Sequence, residues 1–127
     1  MGPGENALVF IVGNDTAVLR SLQFIIQVQG FSVRAYHSSS QLLRTASWPT
    51  QGCLVIEQNM PDMAGLDLLA ALRARGVRLP AILTTSHPTP ELQRRAARTG
   101  VLRVLGKPLA HDVFLEILRD AVRQPNP

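Results

Sequence analysis

The stretch Cys53-Leu54-Val55-Ile56-Glu57-Gln58-Asn59-Met60-Pro61-Asp62-Met63-Ala64-Gly65 changes character halfway. Its first residues form an apolar run with β-branched members and no alternation, as expected of a strand covered on both faces. The run ends in a carboxylate, Glu57, followed by a polar loop marked by Pro61 and Gly65. In an open parallel sheet the C-terminal edge of the strands is where the loops leave a crevice for ligands and chemistry. The sequence therefore points to one site, centred on Glu57.

Outward from this stretch, apolar runs alternate with amphipathic ones. Ala7 to Val12 reads as a buried parallel strand that breaks at Gly13-Asn14, and Asp15 or Thr16 can cap the helix that follows. That helix places Val18, Leu22, Ile25 and Ile26 on one face and stops at Gly30. Phe31 to Tyr36 is a strand of mixed polarity, suited to an edge, and Ser38-Ser39-Ser40 offers caps for a short helix through Leu42 and Leu43. After the 48–52 loop and the central strand, Leu66, Leu69 and Leu72 line a helix ending near Gly76. Leu79 to Thr85 is the fourth strand, and Thr89-Pro90-Glu91 starts a helix with a cap, a proline at the first position and an acid in the first turn. Val101 to Leu105 is the fifth strand. The last helix, from about Ala110, is expected to bury Val113, Phe114, Ile117, Leu118 and Ala121 and to end at Pro125 and Pro127. Strands alternating with helices in this way predict an α/β fold, a single doubly wound five-stranded parallel sheet.

The Met60-Pro61-Asp62-Met63-Ala64-Gly65 loop, Thr85 at the end of a later strand and the Lys107-Pro108 pair after a third resemble the receiver (CheY-like) domain of two-component response regulators, of the FixJ and NarL type. The likeness runs from about Ala7 to Val122. It implies the flavodoxin-like (βα)5 receiver fold with strand order 2-1-3-4-5, a receiver domain over residues 7–123, and tails at 1–6 and 124–127. It also implies that Glu57 stands at the phosphoacceptor position, where the family carries aspartate. Thr85 stands where a hydroxyl contacts the phosphoryl group and Lys107 where a lysine pairs with it, so both are expected to point at Glu57. Lys107 would then form a standing ion pair with Glu57, and the Lys-Pro bond is typically cis in this family. The family's acidic pair that holds magnesium falls on Gly13 and Asn14, and its aromatic switch residue falls on Val104. Asn59 is a further weak position around the metal.

Phosphoryl transfer to a carboxylate needs an oxygen in line with the phosphorus, a divalent cation and donors for the transferred group. Glutamate's extra methylene displaces its oxygens by more than about 1 Å, whereas catalytic groups must be placed to within about 0.5 Å. Magnesium commonly takes one or two carboxylates. Gly13 has no side chain, Asn14 only a neutral amide, and Asp15 is better suited to capping, so no cofactor is expected and magnesium should be lost or weak. His37, His87 and His111 are far apart in sequence without metal spacing, and Asp62 and Asp67 suit a helix N-terminus rather than an acceptor role.

Bulk properties bound the rest. The 127 residues, 46% hydrophobic, suit one domain with one core. A single cysteine, Cys53, excludes an internal disulfide framework and reads as a small buried hydrophobe, which fits a reducing cytoplasm. No basic-then-apolar leader and no apolar run near the roughly 20 residues of a membrane span occur, so a soluble cytoplasmic protein is expected. The net charge of +4 could suggest nucleic acid, but the arginines are scattered, without aromatic interleaving or a helix-turn-helix pattern. No G-x-G-x-x-G, P-loop or G-x-S-x-G is present, which disfavours nucleotide binding and nucleophilic hydrolysis, and no enzyme is expected. The expected role is that of an atypical receiver, a phosphorylation-independent or weakly phosphorylated interaction and dimerisation module. Its partners would be a sensor histidine kinase or another signalling protein and a second copy bound through the fourth helix, fifth strand and fifth helix. The competing reading is a conventional receiver that takes a phosphoryl group from a histidine kinase at Glu57 or a nearby acid.

Overall fold

The computed structural model describes residues 7–123; the expected tails, and the end of the last helix at Pro125 and Pro127, lie outside the described residues. In chain order the elements are β1 (Leu8–Val12), α1 (Thr16–Val28), β2 (Ser32–Tyr36), α2 (Ser39–Leu43), β3 (Gly52–Glu57), α3 (Gly65–Ala74), β4 (Ala81–Thr85), α4 (Pro90–Arg98), β5 (Arg103–Gly106) and α5 (His111–Val122). The strands form one parallel sheet in the order β2-β1-β3-β4-β5, the doubly wound flavodoxin-like arrangement.

Strand alternation divides the core into two layers. Val9, Ile11, Cys53, Val55 and Ile82 face α1 and α5, where they meet Leu19, Leu22, Ile26, Phe114 and Leu118. Phe10, Val12, Leu54, Ile56 and Leu83 face the other way, onto Leu42 of α2, the α3 leucines and Ala96 of α4. Every residue of β3 and β4 is buried, which explains their unalternated apolar sequence. The edge strand β2 carries only half-buried and exposed residues. Cys53 is fully buried, and burial pushes its thiol up to about 12, so it behaves as an inert core residue.

The helix starts follow their caps. Asp15 Oδ1 accepts from the amides of Ala17 and Val18, Ser38 caps α2, and Thr89 caps α4 ahead of Pro90. Gly30 and Gly76, at φ +97° and +85°, supply the left-handed residues after α1 and α3. Two helical faces are rotated from the expected ones. Leu19 is buried in α1 while Val18 is 42% exposed, and in α5 Val122 is buried while Val113 is 48% exposed. In both helices the sheet takes a slightly different arc of an apolar stripe wider than the contact.

Asp62 corrects another expectation. It does not serve the helix of its own loop; its carboxylate oxygens accept from the amides of Ser39 and Ser40 at 3.2 and 2.9 Å, at the start of α2. These bonds, that of Ser40 foremost, hold its carboxyl below the usual carboxylate range. Ser39 Oγ returns a bond to the Met63 carbonyl at 2.8 Å, so the loop after β3 is fastened to α2. Asp67 lies in the first turn of α3 as expected.

The same loop closes tightly over the end of β3. Gly65 N donates to Gln58 O, and a Cβ on Gly65 would lie 2.7 Å from the Glu57 carbonyl oxygen and 2.9 Å from Ile56 Cγ2. No flexible side chain could yield there. Gly65→Ala should therefore cost about 1 to 3 kcal/mol in urea unfolding. Gly106→Ala, whose Cβ would meet only the Pro88 ring, with Cγ at 3.4 Å and Cδ at 3.9 Å, should change stability by less than about 0.5 kcal/mol. Equal effects of the two substitutions would contradict this account of the loop.

Candidate functional site

Glu57 is the last residue of β3 and shares its parity with Cys53 and Val55, so its side chain rises on the α1 and α5 side of the sheet. It is 7% exposed. A buried carboxylate needs partners, because an unpaired charge in such a place costs several kcal/mol. Glu57 has two. Lys107 Nζ donates to Oε1 at 2.6 Å, and Thr84 Oγ1 donates to Oε2 at 2.9 Å. Among the described residues this is the one ion pair within 4.0 Å.

Lys107 is delivered by backbone geometry from the far side of the sheet. Its amide donates to the Thr85 carbonyl at 2.8 Å, continuing the β4–β5 pairing one residue beyond β5, and the Lys107-Pro108 peptide is cis. The ion pair expected from the sequence is thus formed across β4.

The hydroxyl on Glu57 is the neighbour of the expected one. Glu57 and Thr84 are register partners in the β3–β4 pair, so both side chains stand on the same face. Thr85, one residue on, points to the opposite face, where its Oγ1 donates to Asn59 Oδ1 at 3.2 Å and accepts from the His87 amide at 3.1 Å. Thr85 therefore ties the ends of β3 and β4 and makes no bond with Glu57. The missed signal is parity: once Leu83 is placed in the α3 layer, Thr84 has to face Glu57.

The remaining positions are spread around this group. Gly13 follows β1 and presents no side chain, Asn14 is exposed, and Asn59 is exposed and bonded to Thr85. Asp15 is engaged as the α1 cap. Val104 lies in β5 and packs into the α2, α3 and α4 layer. His37 and His87 are exposed away from Glu57, whereas His111 lines the cavity beside it. That cavity, about 470 Å³, lies between the β1–α1 turn and the start of α5, with Glu57, Thr84 and Lys107 in its wall.

Comparison with known proteins agrees with this arrangement of elements. The family model described as "Response regulator receiver domain" matches residues 9–119. The response regulator protein TodT of Pseudomonas putida is 28% identical over 117 residues, covering 92% of this chain and 52% of TodT. The transcriptional regulatory protein FixJ of Rhizobium meliloti is 31% identical over 113 residues, covering 89% of this chain and 55% of FixJ. The chain thus spans about half the length of the curated relatives it matches. Among solved structures, that titled FixJ-N superposes with a TM-score of 0.84 at 30% identity, over 93% of this chain and 94% of the other. No helix among the described residues is long and apolar enough to cross a membrane.

The geometry gives a direct test of who supports Glu57. Lys107→Ala strands a buried carboxylate and should cost about 1 to 3 kcal/mol, partly recovered by adding Glu57→Gln. In double-mutant cycles against Glu57→Gln, Thr84→Val should couple by at least about 0.5 kcal/mol and Thr85→Val should be additive. Coupling at Thr85 and none at Thr84 would overturn the assignment of the hydroxyl.

Proposed function

This chain belongs to the response regulator receiver domain family, and from that premise we propose that it is a two-component receiver working as an interaction and dimerisation module whose output does not depend on phosphorylation. One observation carries the proposal. The lysine that would meet an incoming phosphoryl group is already bonded to Glu57 at 2.6 Å, and the other carboxylate oxygen holds Thr84. Glu57 is thereby a satisfied structural anion, with its charge matched inside the protein. The expected phosphoryl-contacting hydroxyl, Thr85, is committed to Asn59 on the opposite face.

The residues around Glu57 do not fit a magnesium ion. A hard cation needs several oxygen ligands, preferably more than one carboxylate. Gly13 supplies none, Asn14 is neutral, and Asp15 is spent on the α1 amides. The chain is accordingly proposed to act without a metal, in the cytoplasm, as a non-enzymatic partner of a sensor kinase or another signalling protein. With Val104 in place of an aromatic switch, no ring is available to carry a signal from the site to β5.

The surface supports self-association through α4, β5 and α5. Arg94, Arg95 and Arg98 are exposed on α4, and Asp112, Glu116 and Asp120 are exposed on α5 opposite its buried Phe114, Ile117 and Leu118. None of the six forms an ion pair within the described residues. Two patches of opposite charge on one subunit suit a two-fold contact in which each subunit's arginines meet the other's acids.

Three measurements test this reading. After incubation with acetyl phosphate and magnesium, intact mass should show no added phosphate and magnesium should cause no saturable rise in melting temperature. Gly13→Asp with Asn14→Asp should create such a rise. A phosphate that disappears in Glu57→Gln would favour the conventional receiver instead. Untreated protein should be a dimer by light scattering at about 100 μM, weakened by salt and by Arg98→Glu or Asp120→Arg. A monomer indifferent to both substitutions would remove the dimer.

A further inference from the structure

Arginines that lie apart in the sequence are gathered by the fold where the chain leaves α2 and α3. Arg75 Nη1 donates to the Leu43 carbonyl at 2.6 Å, which sets it beside Arg44 at the end of α2. Arg73 Nη1 donates to the carbonyls of Val77 and Leu79, the two residues that flank Arg78, at 3.0 and 2.7 Å. Burial and, after it, the charge of Arg78 pull the Arg73 guanidinium below its usual range. Four guanidinium groups thus form one ridge at the N-terminal edge of the sheet.

Helix-end chemistry explains only part of this ridge. Arg73 and Arg75 serve carbonyls near the ends of α3 and α2, as basic side chains there commonly do. Arg78 lies beyond α3, and both it and Arg44 are exposed and in no ion pair among the described residues. No acid occurs between Asp15 and Glu57 or between Asp67 and Glu91. Asp62 and Asp67 stand at the opposite end of α3, whose 10 residues span about 15 Å. That exceeds the Debye length of about 10 Å at 0.1 M salt, so the charge of the ridge is left uncompensated.

The surroundings select among polyanions. None of the exposed large apolar side chains lies on α2, α3 or the segments that follow them, and Trp48 is packed on Phe10 with ring centroids 4.8 Å apart. A protein partner would find no aromatic or apolar anchor there, and a membrane no side chain to insert. The exposed neighbours Ala46, Ser47, Ala74 and Gly76 are small, which lets a polymer backbone come close. Guanidinium forks match pairs of phosphate oxygens, and all the cations but Lys107 are arginine.

We propose that this ridge binds the phosphodiester backbone of nucleic acid without reading its sequence. Arg44 and Arg78 supply free guanidinium groups, Arg75 its remaining donors, and Arg73 a charge behind them. The site uses neither Glu57 nor the surface assigned to the dimer, so its failure would leave the interaction reading untouched.

The probe is a fluorescein-labelled DNA duplex of about 20 base pairs, titrated with the full chain and followed by anisotropy. At about 50 mM salt, binding should saturate with a Kd below about 100 μM, and log K should fall with log salt at a slope of about −3. Arg44→Gln with Arg78→Gln should weaken binding at least about tenfold and flatten the slope by about 2. Arg20→Gln with Arg119→Gln removes the same charge from α1 and α5 on the opposite face and should weaken it less than about threefold. All four positions are exposed, and melting curves check that both variants are folded. Equal losses in the two variants would reduce the effect to net charge and overturn the proposal, as would no saturation up to about 1 mM protein. Tighter binding of a poly-glutamate of equal charge, or of phosphatidylserine vesicles, would overturn it in favour of an acidic protein or a membrane.

Discussion

The structure depends on satisfying one carboxylate at the end of its central strand. Glu57 is 7% exposed, and a charge so placed is tolerable only with close partners. The sheet supplies them by register alone: Thr84 is the residue opposite on β4, and Lys107 is brought in by the backbone bond to Thr85. The surrounding loops are arranged around the same point. The β3–α3 loop turns sharply at Gly65 against the Glu57 carbonyl and is tied to α2 through Asp62 and Ser39. The backbone that presents Glu57 is thereby held from two sides before any ligand is considered.

Much of the fold was legible in the sequence for a physical reason. Strands buried on both faces have to be continuous apolar runs, and Ala7 to Val12 and Cys53 to Ile56 admit no other reading in a chain punctuated by caps and glycines. Strand β2 showed itself as an edge by its mixed polarity. The order 2-1-3-4-5 came from the family resemblance, because periodicity carries no information about which strands are neighbours.

Most of what the sequence misplaced shares one cause, which is phase. Val18 and Leu19 are both apolar, as are Val113 and Val122, and composition alone cannot say which arc of a wide apolar stripe meets the sheet. The choice between Thr84 and Thr85 is the same problem with period two: both are buried threonines, and only the β3–β4 register shows which faces Glu57. Asp62 failed differently. A helix N-terminus was the right kind of partner, but the helix it serves begins 23 residues earlier in the chain, at a distance no local rule reaches.

Electrostatic balance connects the substituted positions with one another. In the resembled family the first-strand acids and the phosphoacceptor aspartate crowd negative charge that a magnesium ion offsets. Here Gly13 and Asn14 remove that excess, and a cation would have to compete with Lys107 for the Glu57 carboxylate. An ammonium at 2.6 Å, fixed to the sheet through its own backbone, needs no second body to arrive from solution and loses less freedom in pairing. With Lys107 closed on Glu57 and no cation present, an acid at position 13 would add a negative charge without a partner and would lie against Leu19. The absence of acids at 13 and 14 and the standing pair at Glu57 are therefore two sides of one arrangement, in which the charge of the site is balanced within the chain.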